Sequence, residues 1–273
     1  MKKIIHMSDL HVGYEGLGER FRQVVENLVT QKGGHPQDYV IVITGDLVDN
    51  AHYPESYAIV KSGLDVLRRA GFEDILVIPG NHDYGTGSRG NKKFIQIFQE
   101  TIYGDHKSYP RKDIIGDIAF LGLDSMAEEL NWHDYLWAQG ELGKKQLLRL
   151  SAALEAEDVR RCKKRVIYLH HHPFDARPLH QLKDSRKLKK TLMAAIAQGI
   201  TIDALLYGHN HEGKSHNGHW GIPRCYDAGS ATLKPRPKRV EKWKLFPVNA
   251  SVREISLDDA DPAADRKLVL FEG

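Results

Sequence analysis

Cysteine is scarce in this chain: Cys162 and Cys225 are the only two in 273 residues, and their spacing forms no pair pattern. That argues against a disulfide framework and against a structural zinc site. Long apolar runs are also missing. Met1-Lys2-Lys3 leads straight into a short apolar run, and no stretch has the length of a signal peptide or a membrane span. A cytoplasmic location is the expectation. One-sided charge is absent too, since 39 Lys and Arg stand against 36 Asp and Glu for a formal net charge of +3. Nucleic acid is therefore a possible but not a favoured partner. There is no repeat, no low-complexity segment, no Gly-x-Ser-x-Gly elbow and no P-loop lysine motif.

What the chain does have is five short polar motifs, each where an apolar run ends. They read Asp9-Leu10-His11, Gly45-Asp46-Leu47-Val48-Asp49, Gly80-Asn81-His82-Asp83, His170-His171-His172-Pro173 and Gly208-His209-Asn210-His211. The preceding runs are Ile4-Ile5, Tyr39 to Ile43, Ile75 to Ile78, Val166 to Leu169 and Ala204 to Tyr207. Short, branched runs of this kind suit strands of a buried parallel sheet. In an open α/β sheet the chemistry lies beyond the carboxyl ends of the strands, so the five motifs are expected to converge. Carboxylate, imidazole and amide oxygen are donors for hard or borderline first-row ions. Two ions about 3.5–4 Å apart need a shared ligand, and Asp46 is the natural bridge. Singly, an Asp-x-His or a Gly-Asp pair is more often a polar loop or a turn. Five in order at strand ends point to two metal sites.

Together these residues resemble the calcineurin-like metallophosphoesterase superfamily, whose pattern is D-x-H, G-D-x-x-D, G-N-H-[DE], H and G-H-x-H. The resemblance runs from about Ile4 to Ser230. It implies an α/β fold, a four-layer αββα sandwich of two mixed sheets flanked by helices. It implies one metal on Asp9, His11, Asp46 and His211, and another on Asp46, Asn81, His171 and His209. His171 is selected over its two neighbours because the family commonly places that ligand two residues before proline. Asp49 is expected to anchor its loop. His82 is implied to stand beside the scissile phosphate, its ring oriented by Asp83. The implied reaction is hydrolysis of a phosphoester by a metal-bridging hydroxide, with His82 protonating the leaving group. Manganese or iron is expected, with zinc or cobalt also accepted by such ligands.

Within the family, Asn50 stands where protein phosphatases carry a phosphate-gripping arginine, and Asp83 where they carry glutamate. The run Gly45 to Tyr57 is instead similar to the class III cyclic-nucleotide phosphodiesterase branch. Cyclic nucleotides are thus the first candidate substrates. A repair-type nuclease, a pyrophosphatase of a nucleotide-linked lipid and a non-catalytic scaffold remain the alternatives. His52, Trp132 and Trp137 are candidate substrate contacts, the tryptophans lying in an aromatic insert at 131–137. Three basic clusters stand out: Arg160 to Arg165, Ser185 to Lys190, and Lys234 to Lys244. The first two read as a solvated helix end and a helix face.

Because the motifs are spread from Asp9 to His211, a single domain over 1–273 is expected, with 234–273 a basic loop and an edge-strand tail. Amphipathic helices are expected at about Glu19–Gln31, Pro54–Arg69, Lys92–Thr101, Gly140–Leu154 and Ser185–Ala197. Further strands are expected at Asp117–Leu123, Pro223–Asp227, Ala250–Leu257 and Lys267–Phe271.

Overall fold

The computed structural model describes residues 1–87, 91–104, 108–127, 139–175, 177, 180–232, 252–258 and 265–268. In chain order the strands are β1 (Lys3–Met7), β2 (Tyr39–Thr44), β3 (Ile75–Ile78), β4 (Arg111–Ile115), β5 (Ile118–Gly122), β6 (Lys164–Tyr168), β7 (Ala204–Tyr207), β8 (Arg224–Asp227), β9 (Val252–Ile255) and β10 (Asp265–Leu268). The helices are α1 (Leu17–Lys32), α2 (Pro54–Arg69), α3 (Lys92–Phe98), α4 (Lys144–Glu155), α5 (Glu157–Arg161) and α6 (Ser185–Ala197). Pro54 opens α2, where its fixed φ and missing N–H cost nothing.

Two five-stranded sheets form, in the orders β10-β9-β1-β2-β3 and β4-β5-β6-β7-β8. Each is mixed. β1, β2 and β3 run parallel, with β9 antiparallel to β1. β5 to β8 run parallel, with β4 antiparallel to β5. The alternation of side chains along each strand then builds the layers. Ile4, Val40, Val42 and Leu76 pack against Phe120, Val166, Tyr168 and Leu206 between the sheets. The neighbouring residues Ile5, Ile41, Ile43 and Val77 face Phe21, Val24, Leu28, Val60 and Leu64 of α1 and α2. On the far side, Ile167, Leu169 and Leu205 meet Leu150 of α4 and Leu188 and Leu192 of α6. The result is the four-layer αββα sandwich that the family resemblance implies.

The differences from expectation lie at the rims. β4 escapes a reading of the sequence, because Arg111-Lys112-Asp113 alternates with only partly buried residues at a sheet edge. It pairs with β5 through a tight turn at Gly116, whose φ is 56°. α3 ends at Phe98, and its last turn widens into a π-turn over Gln99–Tyr103. In the first basic cluster, Arg160 and Arg161 close α5, but Arg165 turns inward. Its guanidinium donates to Thr201 Oγ1 at 2.9 Å and to the carbonyls of Arg160 and Cys162 at 2.7 Å each. In the tail, β9 is an interior strand and β10 takes the edge. The basic segment 234–244 lies outside the described residues. No helix among the described residues is long and apolar enough to cross a membrane.

Arg253 of β9 ties the two sheets together. It is only 2% exposed and donates to the carbonyls of Asp227 (3.1 Å) and Gly213 (2.6 Å), to Ser215 Oγ and to Asp265. Replacing it with methionine leaves buried acceptors without a donor. Arg253→Met should therefore lower stability by about 3 kcal/mol. The check is a fall in the urea midpoint at unchanged slope; an unmoved midpoint would mean that the guanidinium contributes no net stability.

Candidate metal centre

The five motifs leave the carboxyl ends of β1, β2, β3, β6 and β7 and meet between the two sheets. Backbone pairing continues past the strands and brings the loops into register: Asp9 N–H donates to Gly45 O, His11 N–H to Asp46 O, and Gly208 N–H to His170 O. The loops touch so closely that two motif glycines have no room for a side chain. A Cβ on Gly80 would collide with Asp46 Oδ1, and one on Gly208 with Ser8 Oγ and Asp9 Oδ2. The backbone is also strained here. Asp9, His11, Asp46, His209 and His211 all have positive φ, between 45° and 73°. Non-glycine residues hold that conformation only where their surroundings impose it.

The side chains form two half-sites around Asp46. In the first, His11 Nε2 lies 3.7 Å from Asp46 Oδ2 and 3.8 Å from Asp9 Oδ1, and His211 Nε2 lies 3.0 Å from Asp9 Oδ1. His11 Nε2 and His211 Nε2 face each other at 3.1 Å. Two imidazole lone pairs cannot approach this closely unless a proton or a cation lies between them. In the second half-site, His170 Nε2 lies 3.4 Å from Asp46 Oδ2 and 3.0 Å from Asn81 Oδ1, and His209 Nδ1 lies 3.1 Å from the same amide oxygen. His170 Nδ1 donates to the Thr44 carbonyl at 2.7 Å. That bond leaves the Nε2 lone pair aimed into the cluster. The donor types and their mutual closeness fit two first-row ions sharing Asp46.

Charge follows this geometry. Burial opposes ionisation of Asp46, but the imidazoles of His170, His82 and His11 outweigh it and hold the carboxyl well below its usual range. Burial likewise opposes protonation of His170, yet the Asp46 carboxylate carries its pKa up to about 9. His209 is pushed down, by burial first and then by His171 and His170.

Three sequence expectations change. His170, not His171, faces Asp46 and Asn81. His171 Nδ1 instead meets Ser125 Oγ at 2.7 Å, on the opposite side of the strand end. The signal was alternation: Val166, Tyr168 and His170 share the inter-sheet face, whereas Ile167 and Leu169 face the helices. Asp83 does not orient His82. Its fully buried carboxylate accepts from Gly80 N–H, Leu47 N–H and Tyr57 O–H. Burial and then the charge of Asp46 push its pKa up to about 7. The His82 ring is held by Asp49, whose carbonyl accepts from Nδ1 at 2.6 Å. Asp49 does more than anchor its loop, because its Oδ1 lies 3.4 Å from His11 Nδ1. The candidate contact His52 pairs with Asn50 Oδ1 at 2.8 Å and packs on Phe94. Trp132 and Trp137 lie outside the described residues.

A family model described as calcineurin-like phosphoesterase matches residues 2–213. The chain belongs to that family. Its members are phosphoester hydrolases with a binuclear metal centre. Solved structures with the same fold include TT1561 of Thermus thermophilus, 11% identical, with a TM-score of 0.56 over 94% of each chain. GAP50, described as the anchor in the inner membrane complex of Plasmodium, is 12% identical, with a TM-score of 0.55 over 99% of this chain and 89% of that one. Purple acid phosphatase PPD1 from seeds of yellow lupin (Lupinus luteus) is 16% identical, with a TM-score of 0.52 over 77% of this chain. This chain spans 38% of the lupin enzyme's length. At these identities the likeness is one of fold. No curated protein matches the sequence.

The two half-sites make stoichiometry the readout. After reconstitution with Mn²⁺, His170→Ala should lose one of two ions, His171→Ala should keep both, and Asp46→Ala should lose both, as measured by plasma mass spectrometry. Loss of an ion from His171→Ala alone would restore the assignment based on the proline spacing.

Proposed function

We propose that this chain is a metal-dependent phosphodiesterase working as one domain, with residues from Asp9 to His211 contributing to one site. One ion would be held by Asp9, His11, Asp46 and His211, and the other by Asp46, Asn81, His170 and His209. We infer manganese or iron as the native metal, with zinc or cobalt accepted by the same donors. When bound, such a pair supplies positive charge that clamps phosphate oxygens and acidifies water. The observation that carries the reading is the convergence of two imidazole-rich half-sites on the single carboxylate of Asp46, with His82 beside them.

The protein's own contribution is position and proton transfer. His82 N–H donates to Asp46 Oδ1 at 2.9 Å, and His82 Nε2 lies 4.0 Å from Asp46 Oδ2. With Nδ1 tied to the Asp49 carbonyl, a protonated His82 has its second proton on Nε2, facing the site. That is the position of a general acid for a departing alkoxide. Asp49 also steadies His11, so one residue aligns both the acid and a ligand. Asn50 supports the choice of ester. Its amide oxygen accepts from His52 N–H at 3.0 Å, and no guanidinium occupies its position to offset a second phosphate charge. A diester carries one charge near neutral pH and a monoester nearly two. Small diesters, cyclic nucleotides first among them, are the substrates we infer.

Chelation should abolish hydrolysis and Mn²⁺ should restore it, and matched diesters should exceed monoesters in kcat/KM. Full activity in a verified metal-free preparation, or equal rates on the two ester types, would overturn the corresponding half of the reading. His82→Ala should keep both ions while kcat falls by roughly 10²–10⁴ on alkoxide leaving groups. An activated aryl ester should be affected far less, because its phenolate leaves without a proton. Equal losses on both would remove the general-acid role.

A further inference from the structure

Beside the candidate metal centre, a cavity of about 360 Å³ opens between the loop after β6 and the start of α6. Phe174, His219 and Trp220 form its aromatic side, Arg186 and Lys189 of α6 its basic side, and Asp175 its inner edge. It is joined to the site by one hydrogen bond, from Asn210 Nδ2 to Asp175 Oδ2 at 2.9 Å; Asn210 stands between His209 and His211. The loop that carries His170 also supplies Phe174, whose N–H donates to His172 Nδ1 at 3.2 Å.

Trp220 is the distinctive residue. Among the described non-glycine residues, six have positive φ, and five of these are candidate metal ligands, Asp46 among them. Trp220 is the sixth, with φ 55° and ψ 25°. The turn around it is closed by Gly221 N–H to Gly218 O and Ile222 N–H to His219 O, and it holds a bulky residue in a conformation of the kind that gathers at ligand sites. Its ring stands edge-on to Phe174, with centroids 4.8 Å apart, and the His219 ring lies 4.6 Å from Phe174. Across from them, Arg186 and Lys189 are exposed and make no ion pair among the described residues. Asp175 does not cancel this positive charge, because Arg177 already holds its carboxylate with Nε 2.8 Å from each oxygen.

We propose that this cavity binds a nucleotide unit of the substrate, with the base on Phe174 and Trp220 and an anionic phosphate at Arg186 and Lys189. An aromatic wall facing exposed cations suits a planar heterocycle that carries a charge, and the volume lies within the range of small-molecule sites. This deepens the phosphodiesterase reading and rests on it. The scissile diester would then carry a nucleotide with a further phosphate on its Asn210 side, so among cyclic nucleotides a dinucleotide fits and a mononucleotide, which has only the scissile phosphate, does not.

The test is calorimetric titration of the Mn²⁺-loaded full chain with adenosine 5′-monophosphate, ribose 5-phosphate and adenosine. The monophosphate should bind at least roughly tenfold tighter than either fragment. Arg186→Ala/Lys189→Ala should weaken the monophosphate about tenfold and leave adenosine unchanged. Trp220→Leu should weaken the monophosphate and adenosine but not ribose 5-phosphate. Lys187→Ala/Lys190→Ala removes the same charge from α6 away from the cavity and should change nothing. Equal weakening by the two double variants, or a monophosphate no tighter than ribose 5-phosphate, overturns the proposal. If Trp220→Leu fails to fold, the exposed double variants still decide. Should the chain hydrolyse no ester while this binding pattern holds, the reaction falls and the cavity stands. Hydrolysis with binding indifferent to all these variants removes the cavity alone.

Discussion

The structure turns on the crowding of imidazole nitrogens and carboxylate oxygens around Asp46, in a largely buried site that opens to solvent at His82 and His211. Burying such groups is costly unless charge balances charge. Asp46 is 2% exposed and Asp9, His170 and His171 are fully buried, so the balance has to come from within the cluster or from cations bound to it. A fold that merely buried apolar surface would not assemble such a group. Here backbone hydrogen bonds tie the loops of each sheet together, side chains of His170 and Asp9 tie one set to the other, and left-handed backbone is accepted at five of the residues that converge.

Around that cluster lies a set of residues whose work is orientation. The Thr44 carbonyl fixes the His170 ring, Asp49 steadies His11 and His82, and Ser125 takes up His171. Asp83 lies beneath, bonded to two backbone amides and to Tyr57, and so fixes the turn that carries Asn81 and His82. Tyr84 donates to Asp124, joining the loop after β3 to the end of β5 and hence one sheet to the other. These contacts explain how loops can hold a geometry that would be lost if each moved by an ångström.

In the function and the cavity we propose, the chemistry and the choice of substrate fall to different parts of the molecule. The strand ends carry the candidate metal donors, and these would serve any phosphoester that fits. The proposed walls come from segments with no motif of their own: the turn at Trp220 and the first turns of α6. Family membership therefore says much about the reaction and little about its object.

Much of this was legible from residue order alone. Short branched runs followed by Asp-x-His, Gly-Asp, Gly-Asn-His-Asp and Gly-His-x-His specify parallel strands with metal donors at their carboxyl ends, because strand alternation and donor chemistry are both local. The limits of α2 and α6 followed from Pro54 at a first turn and from leucines at helical spacing. What sequence could not decide was which of three adjacent histidines points inward, or whose oxygen holds the ring of His82. Those depend on the face of β6 that meets the other sheet and on how closely the loop after β2 passes the loop after β3. β4 was hidden for a related reason, since an edge strand with partly exposed charged residues looks like a loop until it has a partner. Nor does a basic helix face announce that an aromatic turn further along the chain will stand opposite it. Donor identity is a property of residues, whereas orientation and juxtaposition belong to the packed sheets, where a rotation of one residue exchanges the buried face for the exposed one.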